Sequence, residues 1–141
     1  MNKRIERTPQ EVLLKNWDAV IAAGGASSRM DGFPKGLLQL GGKTFCEHLI
    51  EALRPFDRIA TSANLPEYEA FGLPVHADRQ EGRGPLSAIL SALEHTEKDW
   101  VFVCPCDMPL LTEEALFAML QPEMFLKYAV IYRAQGRVIP I

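Results

Sequence analysis

Asp18-Ala-Val-Ile-Ala-Ala-Gly-Gly-Ala-Ser-Ser-Arg-Met-Asp-Gly-Phe-Pro-Lys35 is the stretch on which the reading of this chain turns. An apolar run, Ala19 to Ala23, ends at once in Gly24-Gly25, small polar residues, Arg29 and Lys35. The run has the length of a buried strand and is short for a helix. Glycines after it let the backbone approach a ligand closely, and the N–H groups of such a turn form an anion-binding concavity. Arg29 offers a planar fork of donors and Lys35 a point charge, both suited to phosphate oxygens. The stretch reads as a strand followed by a loop around the phosphates of a nucleoside triphosphate. It is neither G-x-x-x-x-G-K-[ST] nor G-x-G-x-x-G, because Gly24 and Gly25 are adjacent. From local chemistry alone, a glycine-rich strand-to-helix turn with two solvated cations remains equally open.

Working outward, hydrophobic periodicity alternates between strands and helices. A strand is expected over 17–23. Leu37, Leu38 and Leu40 are expected to pack inward, with a turn at Gly41-Gly42. Thr44-Phe-Cys-Glu47 has the form of a capping box and opens a helix to about Leu53, closed by Pro55. A second strand over 58–62 leads into a polar turn at Ala63-Asn64 and a short helix. A third strand runs toward Asp78. Pro85 stands at the first position of a helix whose Leu86, Ile89, Leu90 and Leu93 lie on one face. Trp100-Val-Phe-Val-Cys is a continuous apolar run, as a central parallel strand buried on both faces would have. Thr112-Glu-Glu caps a helix to about Leu120, and 128–132 with 138–141 read as a last strand pair.

Strands alternating with helices predict an α/β, doubly wound, mostly parallel sheet of Rossmann-like form. Ligands of such sheets bind outside the carboxyl ends of the strands, where strand order reverses. Gly24, Asn64, Asp78 and Asp107 all follow predicted strands, so the topology should bring them to one edge. Residues 1–16 form an N-terminal extension, with a capping box at Thr8–Glu11, and 17–141 one domain.

At 141 residues the chain is long enough for one real core. Its 48% hydrophobic and 23% charged content is ordinary for a globular protein. A net charge of −3 argues against a nucleic-acid or acidic-membrane partner. The three cysteines have no zinc-site spacing, and an odd number suits a reducing compartment. No apolar stretch reaches membrane-spanning length and no secretory leader is evident, so a cytoplasmic setting is expected.

Asp107 ends the apolar run 100–104. A hard carboxylate there suits Mg²⁺, which takes few protein ligands and shares phosphate oxygens. Its competing role is a cap for the next helix, which falls better to Thr112. Asp78 reads equally as a turn cap, and Asn64 as an Asx turn. Cys104 and Cys106 are most simply small buried hydrophobes. His48 and His95 read as surface residues of helices, and His76 as a packed strand side chain.

Ala22-Ala-Gly-Gly, Ser28-Arg-Met, Pro34-Lys-Gly-Leu-Leu38, Gly84-Pro-Leu86 and Cys106-Asp-Met-Pro109 together resemble the α/β nucleotidyltransferases, and among these the molybdenum cofactor guanylyltransferases. The resemblance covers about 17–141 and implies a Mg²⁺-dependent nucleotidyltransferase. Its substrates would be GTP and the molybdopterin cofactor, with other molybdenum-cofactor biosynthesis or acceptor enzymes as further partners. Carried over position by position, it implies nucleotide contacts at Ala22, Ala23, Gly24, Gly25, Lys35, Asn64, Asp78 and Asp107. It further implies catalytic roles for Arg29, Lys35 and Asp107, and metal binding at Asp107. For the asparagine, Ser62 is an alternative match to Asn64. Members of the family continue beyond the point matching Ile141, so the acceptor-binding part is expected to be missing. Two other readings stand beside this one: a cytidylyl- or sugar-phosphate nucleotidyltransferase, and a nucleotide-binding protein without catalysis.

Overall fold

The computed structural model describes residues 14–24, 29–30, 32–77, 84–120, 133–134 and 137–138, with 29–30 and the last two pairs described as backbone. Its centre is strand β1 (Trp17–Ala22). Alternation sends Trp17, Ala19 and Ile21 to one side of the sheet and Asp18, Val20 and Ala22 to the other. Among the described residues, five short elements follow it before the next helix. Strands β2 (Arg29–Met30) and β3 (Phe33–Pro34) form an antiparallel pair. A 3-10 turn then spans Lys35–Leu37. Strands β4 (Gln39–Leu40) and β5 (Lys43–Thr44) close a hairpin over Gly41 and Gly42. Both glycines have positive φ, 58° and 83°, as a two-residue type I′ turn demands. The hairpin projects outward, so Leu40 is exposed rather than packed inward as its hydrophobicity suggested.

Helix α1 (Phe45–Ala52) starts on the expected capping box: Thr44 Oγ1 accepts from the Glu47 N–H, and the Glu47 carboxylate accepts from the Thr44 N–H. Strand β6 (Arg58–Ser62) follows, then a 3-10 turn over Pro66–Phe71 and the short strand β7 (Val75–His76). Helix α2 (Pro85–His95) leads into β8 (Trp100–Pro105), and α3 (Glu113–Met119) is capped by Thr112, whose Oγ1 accepts from the Ala115 N–H at 3.1 Å. Strands β9 (Arg133–Ala134) and β10 (Arg137–Val138) pair antiparallel. They lie closer in sequence to Gly136 than the expected 128–132 and 138–141, which fall largely outside the described residues, as do 1–13 and the capping box predicted there.

The main sheet has the order β7-β6-β1-β8 and is parallel throughout. The chain moves outward from β1 to β6 and β7, then crosses through α2 to the other side of β1. Strand order therefore reverses beside β1, the switch point at which such folds bind ligands. Helices α1 and α3 cover one face, where Leu49, Leu53 and Leu116 join Ile21, Phe56 and Tyr68 in the larger core. Trp17 and Trp100 stack there with ring centroids 5.1 Å apart.

Two sequence expectations change on this frame. Strand β8 is the end strand among the described residues, with β1 on one side, and its 100–103 segment is only half-buried instead of central. Helix α2 meets the sheet not with its leucines but with Ser87, Ala88, Ser91 and Ala92, all buried. Small residues let the helix sit close on Val20 and Ala60, and the smaller core forms there with Ala92. Leu86, Leu90 and Leu93 are left exposed. Beneath the end of α2, Thr96 Oγ1 donates to Asp18 Oδ2 at 2.7 Å, while buried Asp18 Oδ1 has no partner among the described residues. No helix of the described residues is long and apolar enough to cross a membrane.

Candidate functional site

Because the four strands are parallel, their carboxyl ends share one rim. Backbone hydrogen bonds extend past the strands and tie that rim together. Ala23 N–H donates to the Ser62 carbonyl at 2.8 Å, Ala63 N–H to His76 at 3.1 Å, and Cys106 N–H to Ala22 at 3.0 Å. The ends of β1, β6, β7 and β8 are thus locked side by side, which fixes the starting points of the loops that leave them.

Ala22 and buried Ala23 close β1, and half-buried Gly24 begins the loop. Asn64 is exposed just past β6, whereas Ser62 is fully buried within the sheet. Asp107 is exposed just past β8, and with Thr112 serving as the helix cap its carboxylate has no structural duty in α3. The 3-10 turn Lys35–Leu37 carries Lys35 back over this rim, where its Nζ lies 3.6 Å from Asp107 Oδ2. Gly25 and Asp78 lie outside the described residues, and Arg29 is placed by its backbone alone, in β2 opposite Pro34.

Beneath Lys35 is a group of residues that the sequence pattern did not single out. Gly36 is buried, and a Cβ there would stand 2.7 Å from Cys46 Sγ and 2.9 Å from both Cε1 and Oη of Tyr68. Only glycine lets the turn descend this far onto α1 and the 3-10 turn Pro66–Phe71. The single signal available in the sequence was a glycine directly after the candidate lysine. Burial pushes the Cys106 thiol up to about 11, with the neighbouring Asp107 charge adding and Gly36 and Lys35 opposing. Burial likewise pushes Cys46 up to about 12. These thiols are therefore packing groups and not nucleophiles at neutral pH.

The rim can accept a cation. Asp107 Oδ2 already faces an ammonium group, and nearly half of the Asp107 side chain is open to solvent (46%). Among the described residues there is no cluster of three or more His, Cys, Asp and Glu able to enclose a metal. One open carboxylate fits an ion that takes most of its oxygens from water and phosphate, as Mg²⁺ does. The rings of all three histidines make contacts of their own. His48 hydrogen-bonds the Leu40 carbonyl at 2.7 Å, and His76 and His95 stack with centroids 3.9 Å apart.

Comparison with known proteins follows the same lines. Residues 19–140 match the MobA-like NTP transferase domain. The chain is 41% identical over 107 residues to a molybdenum cofactor guanylyltransferase of Shewanella sp. (strain MR-4), an alignment covering 73% of this chain and 54% of that protein. It is 45% identical over 95 residues to the molybdenum cofactor guanylyltransferase of Haemophilus influenzae (strain 86-028NP), covering 64% of this chain and 50% of that one. The chain thus spans about half the length of these curated relatives. Among solved structures, 2-C-methyl-D-erythritol 4-phosphate cytidylyltransferase from Thermus thermophilus superposes with a TM-score of 0.56 at 16% identity, covering 86% of this chain and 62% of that one. At that identity the likeness concerns the fold.

Proposed function

Because this chain belongs to the MobA-like NTP transferase domain family, we propose that it transfers GMP from GTP to the terminal phosphate of molybdopterin, with release of pyrophosphate. The observation that carries this reading is the Lys35–Asp107 pair, 3.6 Å apart on the rim from which the Gly24 loop departs. A lysine and a carboxylate at that place provide one group for phosphate oxygens and one for a metal ion. The two curated relatives named above are called molybdenum cofactor guanylyltransferases, which supports the choice of substrates.

In this reading, backbone N–H groups at Gly24 and Gly25, continuing from Ala22 and Ala23, cradle the triphosphate. Arg29 and Lys35 neutralise the charge that gathers on the departing pyrophosphate. Asn64 and Asp78, following β6 and β7, hold the nucleoside side of the substrate. Asp107 holds Mg²⁺, which when bound supplies a Lewis acid to the phosphoryl oxygens. A phosphate oxygen of the pterin attacks the α-phosphorus in line, a new P–O bond forms, and the bond to the β-phosphate oxygen breaks. The acceptor phosphate is already largely ionised near neutral pH, since its second pKa is about 6. No general base is required, consistent with histidine rings that make contacts of their own. Positioning and charge stabilisation carry the catalysis. Three free thiols suit a reducing, cytoplasmic setting.

The test is a titration of GTP, CTP and ATP in the presence of Mg²⁺, followed by pyrophosphate release with molybdopterin as acceptor. GTP is expected to bind in preference, and release is expected with GTP and acceptor together. A preference for CTP, or triphosphate binding without any release, overturns guanylyl transfer.

A further inference from the structure

Tyr68 is fully buried, and its hydroxyl has no hydrogen-bond partner among the described residues. Buried polar groups are nearly always paired, so an orphan of this kind needs a reason. Its surroundings supply one. The ring and hydroxyl lie against Gly36, so closely that a Cβ there would meet both at 2.9 Å. Gly36 is the neighbour of Lys35, and the turn that holds them has no side-chain cap, since proline precedes it. The Gly36 N–H lies close enough to the hydroxyl to oppose, as a backbone hydrogen bond does, the burial that raises its pKa, yet the distance and angle of a closed hydrogen bond are not met. Lys35 meanwhile is directed at Asp107.

We infer that Tyr68 is a positioning residue for Lys35: its ring sets the depth of the Gly36 backbone, and its hydroxyl accepts the Gly36 N–H once a triphosphate draws Lys35 away from Asp107. This inference rests on the nucleotidyltransferase reading above. A triphosphate and Asp107 compete for one ammonium group, and in this proposal part of the movement of Lys35 is passed to the backbone of the Lys35–Leu37 turn. The unpaired hydroxyl is the group next to that turn which gains a partner from such a shift. Cys46 Sγ lies against the turn and the Gly36 amide also bears on the Cys106 thiol, a weaker acceptor than a hydroxyl.

Tyr68→Phe keeps the ring and removes only the hydroxyl. The full chain carrying it is compared with the unaltered chain and with Lys35→Ala, by thermal unfolding and by titration with Mg²⁺-GTP and with GMP. The expected result is an unchanged or higher Tm, because an unpaired buried hydroxyl is lost. GTP affinity falls about five- to tenfold, the worth of one hydrogen bond, while GMP affinity holds. Amide exchange at Gly36 slows on adding Mg²⁺-GTP in the unaltered chain and does not slow in Tyr68→Phe. Equal losses for GTP and GMP, a lowered Tm, or GTP affinity like that of the unaltered chain each overturn the role of Tyr68. If the unaltered chain and Lys35→Ala both lack Mg²⁺-GTP affinity, the nucleotide reading itself fails.

Discussion

Lys35 Nζ stands 3.6 Å from Asp107 Oδ2, joining a turn that follows β1 by way of two short strands to the tip of β8. Both side chains are partly open to solvent, at 29% and 46%, so the pair contributes little to folding. Asp107→Ala is expected to leave the Tm within the range of a change of about 0.5 kcal/mol, while abolishing Mg²⁺-dependent turnover. Lys35→Ala should reduce turnover on the order of 10²-fold through lost charge stabilisation. Pyrophosphate release measured beside thermal unfolding checks both, and unaltered kinetics in either variant would remove that residue from the mechanism.

The inverted face of α2 predicts an unusual ranking of substitutions. Ala92→Leu places a large side chain between the helix and Val20, and should cost about 1–3 kcal/mol. Leu93→Ser removes a leucine already 59% exposed, and should change stability by no more than about 0.5 kcal/mol. Chemical denaturation of the two variants decides the matter. A Leu93→Ser variant less stable than Ala92→Leu would mean that the helix lies with its leucines inward.

Acid should weaken the protein before its carboxylates titrate. Burial holds His76 below the ordinary histidine value of 6.5, with stacked His95 and nearby Arg58 adding to the effect. A base with a lowered folded pKa protonates first in the unfolded chain. Stability from this group is complete above about pH 6.5 and is lost as pH falls from there toward the folded value. Thermal unfolding between pH 7.5 and 5.5 should show a declining Tm, and His76→Gln should flatten that decline. An equal slope in the variant would assign the acid response to other groups.

Thiol chemistry offers a third check on the core. Cys46 and Cys106, raised to about 12 and about 11, carry almost no thiolate at pH 8. Cys104 is shifted upward too, by burial and the other two thiols. Alkylation with iodoacetamide should therefore be very slow in the native chain and complete in denaturant. Rapid native labelling of Cys46 or Cys106 would contradict the packing around Gly36, and of Cys104 its burial in the core.

Much of the rim was legible before any coordinates, because turn chemistry is local. Adjacent glycines after an apolar run, an aspartate closing another run, and capping residues at Thr44 and Thr112 all act within a few residues of themselves. Periodicity succeeds less well where it must choose a neighbour. It marks Leu86, Leu90 and Leu93 as one face of α2 but cannot say that the opposite face, made of serine and alanine, fits closer to the sheet. The apolar run of β8 reads as a central strand, yet strand order depends on pairing between distant segments. The pairing of Gly36 with Tyr68 was invisible for the same reason. Their significance is a contact between a turn and a side chain more than thirty positions away, and neither residue type announces it.

The stacked indoles of Trp17 and Trp100 sit at the amino ends of β1 and β8, about 20 Å along six-residue strands from the rim where Lys35 meets Asp107. They are both of the chain's tryptophans. Tryptophan fluorescence, excited selectively over tyrosine, is consequently a clock for the parting of those two strands and is deaf to a nucleotide at the far end. A ligand that changed it would be reporting a disturbance carried through the whole sheet.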